Sequence, residues 1–346
     1  MKFSAPRLAF LLCWVAAGMA LPGSASQAAA AQPDKVRVGA YSSLSDAGLY
    51  IAQDKGYFAE QGLAVEFVQV NTTVEMMTQL ASGDLDVSGG APAAGLYNAA
   101  RQGIDELKIV ADKGSTHPGY GYFAFVVRKD LADKIKQPSD MRGRLLAVTG
   151  YGVGANSEVT VGRLMESGGV KEGEVNQVNM QFADILAALG TGKVEIGLLI
   201  EPLATEAVEK GVGVIWKRAD EIYPDQQYGA LMYGPGITKR PDVARRFMIA
   251  YLKAVRFYND ALAGRASREE LVTILTKNTS VKNPTIYRTM AFPGLDPNGK
   301  LNVEGMKADV KWWVAAGRMK ESVPVEKLID ASYAEQAVAA LGPYQK

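Results

Sequence analysis

Polar side chains, tyrosines and glycines gather in five short stretches that each follow a predicted strand. These stretches are residues 41–47, 89–94, 114–120, 151–157 and 201–204. Hydroxyl, amide and carboxylate groups hydrogen-bond to small molecules, and glycine allows close approach to the backbone because it has no Cβ atom. With one further tyrosine, the residues that we predict to contact a ligand are Tyr41, Ser42, Ser43, Asp46, Gly89, Gly90, Ala91, Ser115, Thr116, His117, Tyr151, Gly152, Gly154, Ala155, Asn156, Glu201 and Tyr228.

Charged residues in and near these stretches leave the charge of the ligand open. Asp46 and Glu201 are suited to pair with an amine or to cap a helix, whereas Lys113 and Arg128 are suited to balance an anion. Helix N-termini at the stretches favour an anionic or strongly polar group, because their first main-chain N–H groups have no partner within the helix. Gly90 is expected to face the ligand, so that a tryptophan there blocks binding and leaves the fold intact.

Residue types that support catalysis are scarce. His117 is the sole histidine and Cys13 the sole cysteine, so a two-histidine metal site is excluded and any Ser-His-Asp arrangement has to use His117. The pattern Gly150-x-Gly152-x-x-Ala155 formally matches a dinucleotide fingerprint, which is a weak signal by itself. We therefore predict a protein that is not an enzyme and that has no catalytic residue, no metal and no cofactor.

Segments with strand-like and helix-like patterns alternate along the chain, which is typical of an α/β fold. Strand 36–38 is followed by a predicted helix over Ala47–Gln61 and by strand Val65–Val70. The alternation then occurs a second time, from strand Leu145–Thr149 to strand Glu195–Ile200. Two rounds of strands and helices predict two α/β lobes.

A local sequence similarity supports the two lobes. Leu80–Val87 (LASGDLDV) resembles Leu189–Ile196 (LGTGKVEI), and Gly83 of the first aligns with Gly192 of the second. The spacing between them is far too long for a solenoid repeat. Each lobe is therefore expected to contain a mainly parallel sheet flanked by helices.

Two extended segments with aromatic content are the predicted crossovers between the lobes, Tyr122–Arg128 and Gly229–Gly234. With these crossovers, lobe 1 is predicted to comprise residues 34–127 plus 228–346, and lobe 2 residues 128–227.

The last third of the chain reads as helical. Apolar residues at helical spacing predict helices over Pro241–Leu262, Val303–Ala316 and Val325–Leu341. The adjacent pair Trp312-Trp313 is interpreted as core packing.

The N-terminus has the layout of a secretory signal peptide over residues 1–31. Lys2 and Arg7 precede an uncharged apolar run, Leu8–Leu21, and the small residues Ala29-Ala30-Ala31 offer a cleavage site. We expect a product without direct membrane insertion. The 346-residue chain has a formal net charge of +1 and no basic run, so nucleic acid is not an expected partner.

The chain resembles the nitrate/sulfonate/taurine-type periplasmic binding proteins of ABC transporters, and thiamine-precursor binding proteins are similar at the start. The segments that carry the resemblance are Ala47–Leu63 (AGLYIAQDKGYFAEQGL), Leu80–Val87, Arg128–Asp130, Met141–Val148, Glu201-Pro202 and Trp312–Gly317. The resemblance implies the two-lobed type II periplasmic binding protein fold, closing on a small-molecule ligand. It also implies a monomer in the periplasm that docks on a membrane permease.

Two other functions stay open at this point. The resemblance extends to enzymes on the same fold, although the thiamine-pyrimidine synthases among them carry a cysteine-rich iron motif that this chain lacks. The same lobes also serve ligand-binding proteins that feed a sensor. The candidate ligands are a sulfonate, taurine, nitrate, an aromatic carboxylate or a thiamine precursor.

Overall fold

Two separate sheets of five strands each organise the described part of the chain. The computed structural model describes residues 1–3, 32–70, 73–101, 106–321 and 324–345. The strands are β1 Asp34–Ala40, β2 Leu63–Gln69, β3 Val87–Ser88, β4 Lys108–Ser115, β5 Phe123–Arg128, β6 Leu145–Val148, β7 Asn176–Asn179, β8 Ile196–Ile200, β9 Gly213–Arg218 and β10 Gln227–Tyr233. The predicted signal peptide lies outside the described residues, apart from residues 1–3.

Helices flank both sheets. They are α1 Ala47–Asp54, α2 Tyr57–Glu60, α3 Thr73–Ser82, α4 Ala94–Arg101, α5 Asn156–Ser167, α6 Phe182–Gly190, α7 Leu203–Glu209, α8 Ala219–Ile222, α9 Pro235–Thr238, α10 Pro241–Leu262, α11 Arg268–Asn278, α12 Ile286–Thr289, α13 Val303–Ala315 and α14 Ser332–Leu341. No helix within the described ranges is long and apolar enough to cross a membrane.

The two sheets have the same topology, which confirms the predicted pair of α/β lobes. Strand order is β2-β1-β3-β10-β4 in the first lobe and β7-β6-β8-β5-β9 in the second. As predicted, each sheet is mainly parallel, since four of its five strands run in the same direction. The exceptions are β10, which runs antiparallel to β3 and β4, and β5, which runs antiparallel to β8 and β9. An antiparallel strand arises in each sheet because the chain enters it from the other lobe.

The two similar segments of sequence occupy equivalent places. Gly83 and Gly192 both adopt left-handed backbone conformations, with φ of 83° and 75°, after α3 and α6. Asp86 accepts the N–H of Arg37 in β1 at 2.9 Å, and Glu195 accepts the N–H of Leu145 in β6 at 2.9 Å. Both acids also pair with an arginine. These carboxylates tie strands together and are structural.

Two predicted helices are interrupted. The predicted helix over Ala47–Gln61 divides into α1 and α2 at Gly56, whose φ of 74° is left-handed and does not continue a helix. The predicted helix over Val325–Leu341 is a 3₁₀ turn at Val325–Leu328 followed by α14. In contrast, α10 has the predicted bounds. Trp313 on α13 is fully buried, as the core interpretation requires.

The crossovers lie just outside the segments predicted for them, which are strands β5 and β10. The chain passes between the lobes at 116–122 and 223–226, where Thr116 N–H donates to the Gln226 carbonyl (2.9 Å) and Asp225 N–H to the Thr116 carbonyl (2.7 Å). Since β5 pairs with β8 and β9, the second lobe begins near residue 123, and the predicted boundary at 127/128 is a few residues late.

Helix α5 of the second lobe packs against α13 through Gly162. A Cβ atom at this position would lie 2.3 Å from the Trp312 ring, which also donates its Nε1–H to Glu166 at 3.0 Å. We expect Gly162→Ala to lower the free energy of unfolding by about 1–3 kcal/mol, because the ring has to move out of a packed contact.

The matched control is Gly95→Ala in α4, where a Cβ atom meets nothing within 4 Å. This variant is expected to be stabilised by about 0.5 kcal/mol through the lower backbone entropy of its unfolded chain. Urea unfolding followed by circular dichroism measures both variants, and equal effects would contradict the packing argument.

Candidate functional site

The predicted ligand stretches lie at one edge of each sheet. The carboxyl ends of parallel strands β1 and β3 lead into 41–46 and 89–93, and those of β6 and β8 lead into 149–155 and 201–202. Antiparallel β5 and β10 begin at these same edges, since Phe123 pairs with Ile200 and Gln227 with Ser115. Ligands in α/β folds bind at such edges.

Asp46 is committed to the protein's own structure. Its Oδ1 lies 2.7 Å from Nζ of Lys113, and its Oδ2 accepts the N–H groups of Tyr41 and Ser43 at 3.1 Å each. The side chains of Asp46 and Lys113 are 0% and 2% exposed. The pair therefore fixes the 41–46 loop, and neither charge is open to a ligand in this conformation, contrary to the roles considered for them.

Glu201 is likewise buried and paired. It accepts Nη1–H of Arg218 at 2.7 Å, the Thr205 hydroxyl at 3.0 Å and the Thr205 N–H at 3.0 Å. The carboxylate therefore caps α7 and neutralises Arg218. Arg128, the other cation considered, pairs with Asp130 at the far end of β5.

The glycine loop 150–154 binds a carboxylate of its own chain. Gly152 N–H donates to Glu158 Oε1 at 2.8 Å and Gly154 N–H to Oε2 at 2.7 Å. Glu158 in turn pairs with Arg318 at 2.9 Å. The N–H groups of these two predicted ligand residues are therefore occupied by Glu158 in this conformation. The available signal for Glu158 was an acidic residue in the first turn of a helix.

Asn156 lies in a buried polar cluster between the lobes and not on an open surface. Its Nδ2 donates to Asp309 Oδ2 at 2.9 Å and to the Gln227 carbonyl, while Gln226 Nε2 donates to the same Asp309 oxygen at 3.3 Å. Burial is the main cause that raises the pKa of Asp309 to about 7, and hydrogen bonds from Tyr223 and the two amides oppose the shift.

The stretch Ser115–His117 lies at the end of β4 and the start of the first crossover. His117 Nε2 lies 3.0 Å from Ser115 Oγ, and Nδ1 lies 3.3 Å from Asp225 Oδ1 on the other crossover. In a hydrolytic triad the serine is accessible to substrate and the aspartate is buried. Here Ser115 is only 3% exposed, whereas the Asp225 side chain is 65% exposed. These residues join the two crossovers, and Thr116 lies between them, fully buried.

Gly89 and Gly90 face the interior of the first lobe. A Cβ atom at Gly90 would lie 2.9 Å from Ser88 Oγ, 3.0 Å from Met232 and 3.1 Å from Met76 Sδ. A tryptophan at Gly90 would therefore enter the core, and the expectation that it leaves the fold intact is wrong. Ala91, which follows, is half-buried at the same edge.

Tyr228 is enclosed by other groups. Its ring stacks on Tyr122 with centroids 5.0 Å apart and an interplanar angle of 13°, and a Cβ at Gly114 would lie 2.5 Å from it. Burial raises the pKa of the Tyr122 phenol, and its hydrogen bonds with Ser43 and Ser45 oppose the shift. Tyr122 thus connects the crossover to the 41–46 loop, a contact that sequence reasoning missed.

The remaining predicted residues keep some exposure. Half-buried side chains are those of Tyr41, Ser42, Ser43, Ala91, His117, Tyr151 and Ala155, and Gly152 is exposed. Ala94 N–H donates to the Gly154 carbonyl at 3.0 Å, which brings the first-lobe and second-lobe junctions together. The structure therefore assembles the 41–43, 91 and 151–155 segments around a common edge.

A cavity of about 340 Å³ beside Tyr151 is lined by Tyr151, Glu158, Trp312 and Arg318 among others. A second cavity, of about 570 Å³, lies along α6 and is lined by residues between Asn179 and Lys193. Tyr151 is the one predicted ligand residue that lines either of them. In the described ranges, no group of three or more His, Cys, Asp or Glu residues is arranged to hold a metal ion.

Known proteins with similar sequences are binding proteins. The putative binding protein YtlA of Bacillus subtilis (strain 168) is 25% identical over 308 residues, which cover 86% of this chain and 87% of YtlA. The taurine-binding periplasmic protein of Escherichia coli (strain K12) is 26% identical over 228 residues, covering 63% and 65%.

Solved structures confirm the fold. The periplasmic aliphatic sulphonate binding protein SsuA of Escherichia coli aligns with a TM-score of 0.69 at 17% identity over 86% of this chain and 92% of SsuA. The desulfurization enzyme DSZB aligns with a TM-score of 0.65 at 14% identity over 89% and 100%. The model of the family described as NMT1/THI5 like matches residues 44–261, more than half of the chain. The chain therefore belongs to the NMT1/THI5-like family.

Proposed function

We propose that this protein is the periplasmic solute-binding component of an ABC importer. It captures a small anion, preferably an organic one such as a sulfonate, taurine or an aromatic carboxylate, between its lobes and delivers it to a membrane permease. The proposal is supported by the family, by the taurine-binding relative and by the sulphonate-binding structural neighbour. It involves binding without a chemical reaction.

The arrangement of charge at the strand–helix junctions supports an anion as the ligand. Three junctions contain a carboxylate that is paired with a cation of the protein, and the pairs are Asp46–Lys113, Glu158–Arg318 and Glu201–Arg218. The β3–α4 junction, residues 89–93 (GGAPA), contains no ionisable side chain. A cation would find each of these three carboxylates already neutralised. An anion would face the positive end of the α4 dipole without a carboxylate beside it, although the Ala94 N–H itself already donates to the Gly154 carbonyl.

Thermal unfolding in the presence of candidate ligands tests the proposal. We expect one class among alkyl and aryl sulfonates, taurine, nitrate, aromatic carboxylates and pyrimidines to raise Tm. At about a hundredfold excess over Kd, binding stabilises the folded state by about 2.7 kcal/mol. Ala91→Trp, at the uncharged junction, is expected to abolish the shift.

Ala59→Trp on the exposed face of α2 is the matched control and is expected to keep the shift. If no ligand of this set raises Tm, or if Ala91→Trp responds like the wild type, the proposed anion site is wrong.

A further inference from the structure

The 150–154 loop depends on one carboxylate. Gly152 and Gly154 have φ of 85° and 75°, a left-handed conformation that glycine adopts readily. In this conformation both N–H groups point to the two oxygens of Glu158, at 2.8 and 2.7 Å. Glu158 therefore shapes the loop directly.

The charge that compensates Glu158 comes from the other lobe. Arg318 follows α13. The next residue, Met319, is buried in the core of the first lobe (4% exposed) and therefore fixes the backbone at Arg318. Its Nε–H donates to Glu158 Oε1 at 3.0 Å, and its Nη2–H donates to Glu172 at 2.6 Å. Glu158 is only 2% exposed in its side chain, so the carboxylate needs this partner.

The same arginine orders an adjacent aromatic side chain. The Arg318 guanidinium carbon lies 5.9 Å from the centre of the Tyr151 ring, and the Tyr151 hydroxyl donates to Glu172 at 3.3 Å. The first lobe contacts the loop a second time through Ala94 N–H and the Gly154 carbonyl, at 3.0 Å. Two contacts from the first lobe therefore hold a loop of the second lobe.

We propose that Glu158 and Arg318 are a positioning pair that holds the 150–154 loop in its binding conformation. Because Arg318 belongs to the first lobe, the loop takes this conformation fully only while the lobes are together, so loop shape and lobe closure are coupled. The purpose of the coupling, which is to complete the ligand site on closure, rests on the proposed function. The coupling itself does not require a ligand.

Amide hydrogen exchange on the ligand-free protein tests the coupling. In Glu158→Gln and in Arg318→Met we expect exchange at the Gly152 and Gly154 amides to become about tenfold faster or more, since hydrogen bonds to a charged acceptor are lost or weakened. Exchange in α10, in the first-lobe core, is expected to stay unchanged. Arg163→Met is the matched control, because Arg163 pairs with Glu166 on the same helix and does not contact the loop.

The outcomes separate a positioning role from a general structural one. Unchanged exchange at both glycines in both variants overturns the proposal, as does an equal acceleration in Arg163→Met. If Arg318→Met also loses protection in α10, Arg318→Lys decides. Lysine keeps the positive charge but its shorter side chain does not reach Glu158 in the same way. We therefore expect faster exchange at Gly152 and Gly154 and not in α10, and unchanged exchange at the two glycines overturns the proposal.

A second measurement separates this inference from the proposed function. Taurine and an alkanesulfonate are titrated into the wild type and into Arg318→Met, and weaker binding in the variant is expected. If the wild type binds neither probe, the proposed ligand class fails, whereas the exchange result still decides the coupling. If both proteins bind a probe equally, the role of the pair in completing the site is overturned.

Discussion

Asp309→Asn is expected to stabilise the protein at pH 8 by about 4 kcal/mol relative to its effect below pH 4. The pKa of Asp309 is raised from 3.8 to about 7, with burial as the main cause. Between these two values the folded protein holds a proton that the unfolded chain has released. The free energy of unfolding of the wild type therefore falls as the pH rises from about 4 to about 7, and asparagine removes this loss.

The surroundings of Asp309 explain why an amide is tolerated. Oδ2 accepts from Asn156 and Gln226, Tyr223 also hydrogen-bonds to the carboxyl, and Arg163 is the cation that acts on it. Oδ1 has no partner among the described residues. An asparagine keeps one oxygen to accept from Asn156 and Gln226 and places its amide where the unpartnered oxygen lies.

Urea unfolding of wild type and variant from pH 4 to pH 9 measures the difference between their free energies of unfolding, in which the contributions of other titrating groups cancel.

Asp112→Asn is the contrasting control. Burial raises the pKa of Asp112 to about 6, but its oxygens accept from Asp296 N–H at 2.6 Å, Gly114 N–H at 3.0 Å and Gln227 Nε2. An amide there faces donors and should destabilise at every pH. A pH-independent difference for Asp309→Asn would contradict the assignment.

Local patterns predicted the elements that position the site. The bounds of α10 follow from Pro241 at the first helical position and from apolar spacing, both of which act within a few residues. The equivalence of Gly83 and Gly192 follows from the same turn chemistry in both lobes. Gly56 shows the limit of such patterns, because apolar periodicity continues across it while its backbone does not.

Local sequence patterns could not predict which site residues are already paired, because their partners are distant in the chain. Asp46 meets Lys113 across 67 positions, and Glu158 meets Arg318 across 160. The sequence predicted that Asp46, Glu201 and Asn156 follow strands of the two sheets, as they do, but it had no means to show that each is already paired. A carboxylate that is free for a ligand and one that is neutralised look the same in a sequence.

Lys113→Met is expected to lower the free energy of unfolding by about 3–5 kcal/mol, the largest loss that we predict. The ammonium donates to Asp46 Oδ1 at 2.7 Å and to Ser45 Oγ at 2.8 Å, with both charged side chains excluded from water. Methionine fills a similar volume but leaves the carboxylate of Asp46 buried without a cation. Because Asp46 also holds the Tyr41 and Ser43 N–H groups, the variant should lose ligand binding as well.

Removing the second charge should restore part of this loss. In Lys113→Met with Asp46→Asn no uncompensated charge remains, so the double variant is expected to be more stable than Lys113→Met alone. Lys55→Met is the matched control: its partner Glu270 is 44% exposed, and such pairs contribute about 0–1 kcal/mol. Chemical unfolding measures all four proteins. If Lys113→Met costs no more than Lys55→Met, the ammonium of Lys113 is not held by Asp46 and stays available to an anionic ligand, and the 41–46 loop must be fixed by its hydroxyl contacts instead.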